Sequence, residues 1–308
     1  AALAGRNKVT FFLSPAIASF GDWVEQLIAE STGKEGKGIV PIVRENPGSP
    51  GHYRSDRLFV SLRLEGDDTH EALLGELEKA GHPVVRIVLH DRYDIGGQFY
   101  LWEMATSLAG YILGINPFDQ PDVEAAKKRA SEAMERFRAT GALPAPAPAL
   151  QDGYISVYGD VQAGTLSDAL ASFLAEARSA SYVAIQAYLP PAGEIGKALD
   201  SLCTKIRDTF RIAVMSGYGP RYLHSTGQLH KGDEGRGLFI QITRSVFDDL
   251  AIPDEPGSRQ STISFGTLKS AQALGDWNAL KEKGRKVLRL HILDKNIQAA
   301  LKRIAESL

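Results

Sequence analysis

Gln26 and Glu30 are the first two side chains whose types and spacing could support catalysis. They lie four residues apart in an amphipathic segment, so they share one face of a helix and can converge on one ligand. A carboxylate can remove a proton next to a carbonyl, provided that its pKa is tuned and that it lies within hydrogen-bond reach. On spacing alone, a solvated helix-end acid beside Lys34 stays the simpler interpretation.

A second group of titratable side chains falls in one predicted loop at 219–232, directly after an apolar strand. A purely structural loop does not require such a density of titratable groups. The alternative is a surface loop with one histidine packed against Tyr222. A zinc site is disfavoured, because no cysteine is near and no HExxH motif occurs. The side chains concerned are Arg221, His224, Gln228, His230 and Lys231.

Gln120 and Lys127 form a third candidate pair. Seven residues make about two helical turns, so the two side chains can point the same way, although on composition alone Lys127 is an ordinary surface lysine.

Two other kinds of site are excluded because the sequence lacks their motifs. The glycine-rich run Ser31 to Gly38 lacks the Gly-Lys-Ser/Thr order of a phosphate loop and follows a helix. The Gly-x-Ser-x-Gly elbow of serine hydrolases is absent.

The elements that must position these residues alternate between apolar strands and amphipathic helices. This alternation predicts α/β architecture, a doubly wound and mostly parallel sheet followed by a second α/β domain, with ligands at the carboxyl ends of the strands. Ser19 and Asp22 resemble a capping box at the start of the first helix. Buried strands are predicted at 9–13, 39–43, 58–64, 83–89, 155–158, 182–188, 211–215, 238–242 and 287–291. Helices are predicted at 19–30, 69–80, 99–113, 122–139, 166–178, 194–208 and 267–280, with a final helix at the end of the chain.

Composition limits the classes of function. The chain has 308 residues, of which 44% are hydrophobic and 23% charged, and its net charge is −2. This is ordinary globular composition with no basic excess, so nucleic-acid binding is disfavoured. Cys203 is the single cysteine and cannot form an internal disulfide. No apolar run is long enough to cross a membrane, and we expect a cytoplasmic protein.

The clearest boundary is the stretch GALPAPAPAL at 141–150, whose alternating proline and alanine favour extended polyproline conformation. It predicts a first domain at 1–141, a linker at 142–150 and a second α/β domain at 151–308. The chain lacks an initiator Met, and its first apolar strand begins within ten residues. We therefore expect a further segment upstream.

Three stretches resemble motifs of the glucose-6-phosphate isomerase family. Gln26 to Lys34 resembles the glutamate-containing helix end, Gly114 to Lys127 resembles the C-terminal signature, and His224 to Gly232 resembles the histidine loop. The sequence is most similar to the isomerase part of bifunctional transaldolase/glucose-6-phosphate isomerase fusions. Residues 1–140 resemble the second sugar-isomerase (SIS) domain of the family.

The resemblance implies the roles of individual residues. Glu30 would move a proton between C1 and C2 of glucose 6-phosphate through a cis-enediolate, giving fructose 6-phosphate. His224 and Lys127 would open the sugar ring, and Gln26 and Gln120 would line the substrate or its phosphate. No metal and no redox cofactor is implied. A homodimer is implied, because in the family the histidine comes from the partner subunit.

The sequence departs from the family in two ways. The histidine loop follows the signature instead of preceding it, so the second domain could deliver His224 within one chain, and Lys269 is a further candidate lysine. The family's phosphate loop and its Gly-Gly-Arg motif are absent, so we expect the 308 residues alone to be nearly inactive and to need an upstream SIS or transaldolase part. The alternative is a non-catalytic SIS-type module that binds a sugar phosphate. Under either function we expect no nucleic-acid partner and no membrane partner.

Overall fold

The computed structural model describes residues 1–121, 123–144 and 146–308, and only the backbone of residues 123–128. The described strands form a four-stranded sheet, a six-stranded sheet and a small two-stranded ribbon. All strand pairings in the smaller of the two main sheets are parallel, and so are three pairings in the larger one. The chain is therefore a mixed α/β protein with parallel sheets, as the alternation of elements predicts.

The first sheet is built from strands β1 (Lys8–Leu13), β2 (Val40–Ile42), β3 (Arg57–Leu64) and β4 (Val84–Leu89). Its order is β2-β1-β3-β4 and every pairing is parallel. Helices α1 (Phe20–Thr32), α2 (Glu71–Lys79) and α3 (Ile95–Leu113) connect or follow these strands. Because the order reverses direction between β1 and β3, the sheet is wound in both directions.

Alternate side chains of β1 bury opposite faces of this sheet. Phe11 belongs to a core with Val24 of α1, and its ring lies 5.1 Å from that of Trp102 of α3. Phe12 belongs to a separate core with Leu74 of α2 and stacks on Phe59 of β3 at 6.0 Å. Both faces of the sheet are therefore covered by helices.

The strand predicted as buried at 83–89 is instead an exposed edge strand. β4 is the last strand of its sheet, and Val85 and Val88 are 44% and 51% exposed. Its apolar sequence is typical of a strand with two covered faces. The prediction of burial was wrong because no local pattern distinguishes an uncovered edge from an interior strand.

The capping box predicted at the start of α1 does not form. Ser19 is the N-cap residue, but its side chain accepts no capping hydrogen bond. The Asp22 carboxylate instead pairs with the Arg44 guanidinium. A side-chain N-cap does form at a later helix, where the Thr165 hydroxyl accepts a hydrogen bond from the amide of Asp168 at 3.1 Å.

The second sheet contains strands β5 (Leu150–Asp152), β6 (Ile155–Tyr158), β7 (Tyr182–Ala187), β8 (Ala213–Tyr218), β9 (Gly237–Arg244) and β12 (Lys286–Ile292). Strands β10 (Ala251–Ile252) and β11 (Ile263–Ser264) form the separate antiparallel ribbon. The order of the sheet is β5-β6-β12-β9-β7-β8, and β6 pairs antiparallel with both of its neighbours.

The remaining helices are α4 (Val123–Thr140), α5 (Leu166–Ala175), α6 (Gly193–Phe210), α7 (Thr226–Gly232), α8 (Phe265–Glu282) and α9 (Ile297–Glu306). Helices α5, α6 and α9 share one core with the second sheet. The opposite face packs against α7 and α8, through Leu229 and Trp277 respectively.

The two sheets share a hydrophobic core. Ala29 of α1 and Ile42 of β2 lie in the same buried cluster as Met215 of β8 and Leu229 of α7. Helix α4, which the sequence assigns to the first domain, packs along α8. The division of the chain at 141–150 stays a prediction, while the packing couples the two parts closely.

Candidate functional site

Glu30 lies in the last turn of α1, half-buried, and is hydrogen-bonded to Gln26. The Gln26 amide donates to a Glu30 carboxylate oxygen over 3.2 Å. The shared helix face predicted from their spacing is therefore present. Because α1 runs from the carboxyl end of β1 back to the start of β2, Glu30 lies toward the amino ends of the strands, where the general rule for α/β proteins does not place ligands.

The histidine-loop region packs directly on the end of the Glu30 helix. The Gln228 side-chain amide donates to the carbonyl of Gly33 at 2.9 Å, and the amide of Gly36 donates to the carbonyl of Gly232 at 2.9 Å. A Cβ at Gly33 would lie 2.3 Å from Cα of Leu229. Glycine at position 33 therefore allows α7 to pack closely against the end of α1.

The signature loop at 114–120 is anchored to the same place. The Lys34 side chain is fully buried, and its ammonium pairs with the Asp119 carboxylate at 3.1 Å. Lys37 donates to the carbonyl of Leu113 at 2.5 Å. Gln120, the next residue after Asp119, is exposed at this anchor. Lys34 therefore forms its ion pair with Asp119.

His224 is exposed at the end of a short 3₁₀ helix, Arg221–His224, that precedes α7. This 3₁₀ helix contacts α4. Helix α4 carries Lys127 near its start, although the Lys127 side chain lies outside the described residues. The three motifs thus meet around α7 within one chain.

The predicted polar loop is in fact a short buried helix, which corrects the interpretation of 226–232 as a ligand-binding loop. All residues of α7 are buried. The His230 ring lies 5.0 Å from that of Phe239 and 5.7 Å from that of Tyr222. Burial, with the nearby Lys231 charge, holds the pKa of His230 well below its usual value, so the imidazole is neutral. His230 is a core residue.

A buried ion pair fixes α7 on α8. The Lys231 ammonium lies 2.6 Å from the Asp276 carboxylate, and both side chains are almost fully buried. The Tyr222 hydroxyl donates to the same carboxylate at 2.6 Å, and its oxygen lies 3.2 Å from that of Tyr188. Lys231 is therefore occupied structurally and is not available to a ligand.

A cleft of about 150 Å³ opens between the two sheets, at the carboxyl ends of β2 and β8. Its lining includes Glu25, Arg44 and Arg221. Burial and then the nearby Asp22 charge raise the pKa of Glu25 to about 8, so this carboxyl is protonated at neutral pH. Sequence analysis missed Glu25, because nothing local shows that a second sheet covers that face of α1.

The described residues contain neither a metal site nor a membrane-spanning helix. Among the residues that the structure describes, no three His, Cys, Asp or Glu side chains are grouped so that they could hold a metal ion. Within the same part of the chain, no helix has the length and apolar character that crossing a membrane requires.

Comparison with curated proteins identifies relatives for part of the chain. Glucose-6-phosphate isomerase of Lactobacillus helveticus is 31% identical over 152 residues, covering 37% of this chain and 34% of the relative. The enzyme of Bacillus thuringiensis is 33% identical over 153 residues with the same coverage. The match spans about a third of the length of these relatives. No family model matches the chain.

Solved structures resemble the chain only weakly. A hypothetical protein of Thermus thermophilus gives a TM-score of 0.37 at 16% identity, covering 98% of this chain and 76% of that one. The C-terminal domain of glucosamine-fructose-6-phosphate aminotransferase from Francisella tularensis gives 0.28 at 8% identity, covering 99% and 83%. Such scores are too low to define the fold, which rests on the sheets themselves.

The sheets place the chain among mixed α/β proteins with parallel strand pairing. Within that class, the chain contains a segment homologous to glucose-6-phosphate isomerase, at 31–33% identity over about 37% of its length.

The contact at Gly33 gives a direct test of this arrangement. Gly33→Ala is expected to lower the free energy of unfolding by about 2 kcal/mol or more, because the new methyl group meets the α7 backbone, which cannot rotate away. Gly75→Ala in α2 is the matched control, since nothing lies within 4 Å of its Cβ position. It should be neutral or stabilising. Urea unfolding of the two variants measures the difference, and equal stabilities would contradict the close packing of α7 on α1.

Proposed function

We propose that the chain forms the C-terminal part of an enzyme that interconverts glucose 6-phosphate and fructose 6-phosphate. The observation that carries the proposal is the meeting of three motifs around α7. The end of the Glu30 helix, the anchored signature loop and the histidine-bearing segment lie together although 85 and 195 residues separate the contacting pairs along the chain. The homology to glucose-6-phosphate isomerase supports the same reaction class.

In the proposed reaction, the Glu30 carboxylate removes the proton from C2 of the open-chain aldose. The electron pair of the broken C–H bond forms the C1–C2 double bond, and negative charge develops on the former carbonyl oxygen. The proton of the C2 hydroxyl then passes to the C1 oxygen, so that the C2 carbonyl forms while Glu30 returns its proton to C1. The product is the ketose, and no electron donor or acceptor is needed. The hydrogen bond from Gln26 orients the base.

Ring opening requires a separate pair of groups, because it moves protons between oxygens. We assign His224 and Lys127 to this step, one accepting the proton of the anomeric hydroxyl while the other donates to the ring oxygen. Gln120 would hydrogen-bond the substrate or its phosphate beside the Lys34–Asp119 anchor. The packing of α7 on α1 favours delivery of His224 within one chain.

An exposed apolar face supports the proposed need for a further partner. One side of α3 and the loop after it present large apolar side chains to solvent, more than scattered surface residues would account for. This face would pack against an upstream SIS part of the enzyme or against a second copy of the chain. Its members include Tyr100, Leu101, Leu108, Tyr111, Ile112 and Phe118.

The second candidate is a module that binds a sugar phosphate without converting it. The position of Glu30 favours it, because Glu30 is only half-buried and does not line the cleft between the sheets. In this case Arg44 and Arg221 in the cleft would hold the phosphate, and the protonated Glu25 carboxyl would donate a hydrogen bond to the sugar.

Solvent exchange tests the proposed function. The chain alone, incubated with glucose 6-phosphate in D₂O, is expected to exchange the C2 proton at least about 10² times more slowly than the chain joined to an upstream part that supplies a cation for the enediolate. NMR follows the exchange, with contaminating isomerase excluded by a mock preparation. Rapid exchange by the chain alone would contradict the need for a partner, and no exchange by the joined protein would favour the binding module.

A further inference from the structure

A second cavity, of about 200 Å³, lies in the later part of the chain beside α8. It opens at the carboxyl ends of β9 and β12, through Arg244 and His291, and its lining includes neither Glu30 nor a residue of α7. Pro144 and Pro146 form part of its wall. Cavities in this position are where α/β proteins bind ligands. We call it the anion pocket and define it by Arg244, Lys269, Arg289 and His291.

Positive charge in the anion pocket is not balanced by its own lining. Three basic side chains line it: Arg244, Lys269 and Arg289. Among the described residues, no Asp or Glu lines it. The nearest carboxylates, Asp249 and Asp276, lie outside the lining and act from there on Lys269 and Arg289 respectively. Asp249 accepts hydrogen bonds from the Ser264 hydroxyl at 2.5 Å and the Gly266 amide at 2.8 Å. Asp276 is paired with Lys231 at 2.6 Å.

Arg289 is held in a fixed orientation. Its guanidinium lies 4.6 Å from the centre of the Trp277 ring. Its Nε donates to the Gln241 side chain at 2.7 Å, and one terminal nitrogen donates to the carbonyl of Ala273 at 3.2 Å. These bonds use two of its five N–H donors, so a rigid cation keeps donors for a ligand. Burial lowers the pKa of Arg289 to about 10, which leaves it charged at neutral pH.

Arg244 and Lys269 have donor capacity that the described residues do not satisfy. The Nε of Arg244 is buried and has no hydrogen-bond acceptor in the described part of the chain. Burial and then the neighbouring Arg244 charge lower the pKa of Lys269. Two cations held close together at a buried surface cost free energy, and a bound anion would remove that cost.

The rest of the pocket suits a small organic group. Tyr158 and Tyr188 line it, together with Leu274 and the two prolines. His291 is bridged between the Thr243 hydroxyl at 2.8 Å and the Ser245 hydroxyl at 3.2 Å, so it forms a fixed polar wall. The volume is below the range of about 300–1,000 Å³ that drug-sized ligands occupy. It therefore fits a compact anion with one small substituent.

We propose that the anion pocket binds a small phosphate monoester, with the phosphate dianion on Lys269, Arg244 and Arg289 and the organic group against the tyrosines. Two negative charges match a pocket that has three cations and no carboxylate among its described lining, and arginine binds phosphate oxygens through paired N–H groups. The lining of the pocket contains neither Glu30 nor His224, and the proposal stands whether or not isomerisation occurs.

Phosphorus NMR on the full chain tests the proposal, with inorganic phosphate and phenyl phosphate as probes and ionic strength held constant with sodium chloride. The unchanged chain is expected to bind both probes saturably, and phenyl phosphate more tightly because of its ring. Lys269→Gln should weaken binding by about 10-fold or more, since it removes a charge-assisted hydrogen bond. Arg244→Gln should do the same.

Lys205→Gln is the matched control, because Lys205 is exposed on α6 and does not line the pocket. Thermal unfolding of each variant shows whether it is folded. If the unchanged chain does not bind saturably, or if Lys269→Gln and Arg244→Gln both bind phosphate as well as Lys205→Gln does, the anion pocket is not a phosphate site.

Discussion

Replacing Glu30 with Gln is expected to lower the isomerase turnover of the complete protein by about 10³-fold. The amide has the size of the carboxylate and keeps the contact with Gln26, 3.2 Å away, but it cannot accept the proton from C2. General-base catalysis typically contributes about 10²- to 10⁴-fold, which sets the size of the effect. Affinity for the sugar phosphate should change by no more than about threefold, because the base is not the phosphate ligand.

Coupled turnover assays and calorimetry with fructose 6-phosphate measure the two quantities separately. Glu35→Gln is the control, since Glu35 is an exposed glutamate in the turn that follows the same helix. It should retain both turnover and affinity. Unchanged turnover in Glu30→Gln would reject Glu30 as the base.

Most of the fold was predictable because apolar residues follow clear patterns along the sequence. The run predicted at 238–242 is the centre of β9 (Gly237–Arg244), and the run at 287–291 is the centre of β12 (Lys286–Ile292). Both strands are buried on two faces, so their apolar runs are continuous and unambiguous. Helices α5, α6 and α9, which cover one face of this sheet, carry clear apolar faces, and the predicted positions of α5 and α6 lie within a few residues of the observed bounds.

Helix α7 could not be predicted because its burial depends on partners far along the chain. Its sequence contains Gln228, His230 and Lys231, a composition typical of a surface loop. Two of these polar groups are satisfied in the interior instead: Gln228 by the backbone at Gly33, and Lys231 by Asp276. These pairings join residues 195 and 45 positions apart, which no local pattern reveals.

The rule that ligands lie at carboxyl ends of strands locates the cavities but not the motifs. The cleft beside Glu25 and the anion pocket both lie at such ends. Glu30 lies toward the opposite end of its sheet, on the side where α1 meets α7. Gln26, Glu30, Gln120 and His224, inferred from the resemblance, line neither cavity, whereas the further candidate Lys269 lines the anion pocket.

Replacing Lys231 with Met is expected to lower the free energy of unfolding by about 3–5 kcal/mol, because it leaves the Asp276 carboxylate buried without its cation. The two charged atoms lie 2.6 Å apart, with side chains only 2% and 0% exposed. The hydrogen bond from Tyr222 to Asp276, at 2.6 Å, remains but carries no compensating charge. Loss of the pair also removes the polar contact between α7 and α8.

The double variant Lys231→Met with Asp276→Leu separates the cost of an unpaired charge from the loss of packing. Removing both charges should recover most of the stability, since apolar replacements of a buried ion pair are often neutral. Lys197→Met breaks the exposed pair with Glu194, whose side chains are 76% and 65% exposed, and should cost less than about 1 kcal/mol. Urea unfolding compares the three proteins. If Lys231→Met costs no more than Lys197→Met, the ion pair does not hold α7 in place. In that case the anchoring of the histidine segment must rest on the other contacts of α7, among them those with Gly33 and Gly36.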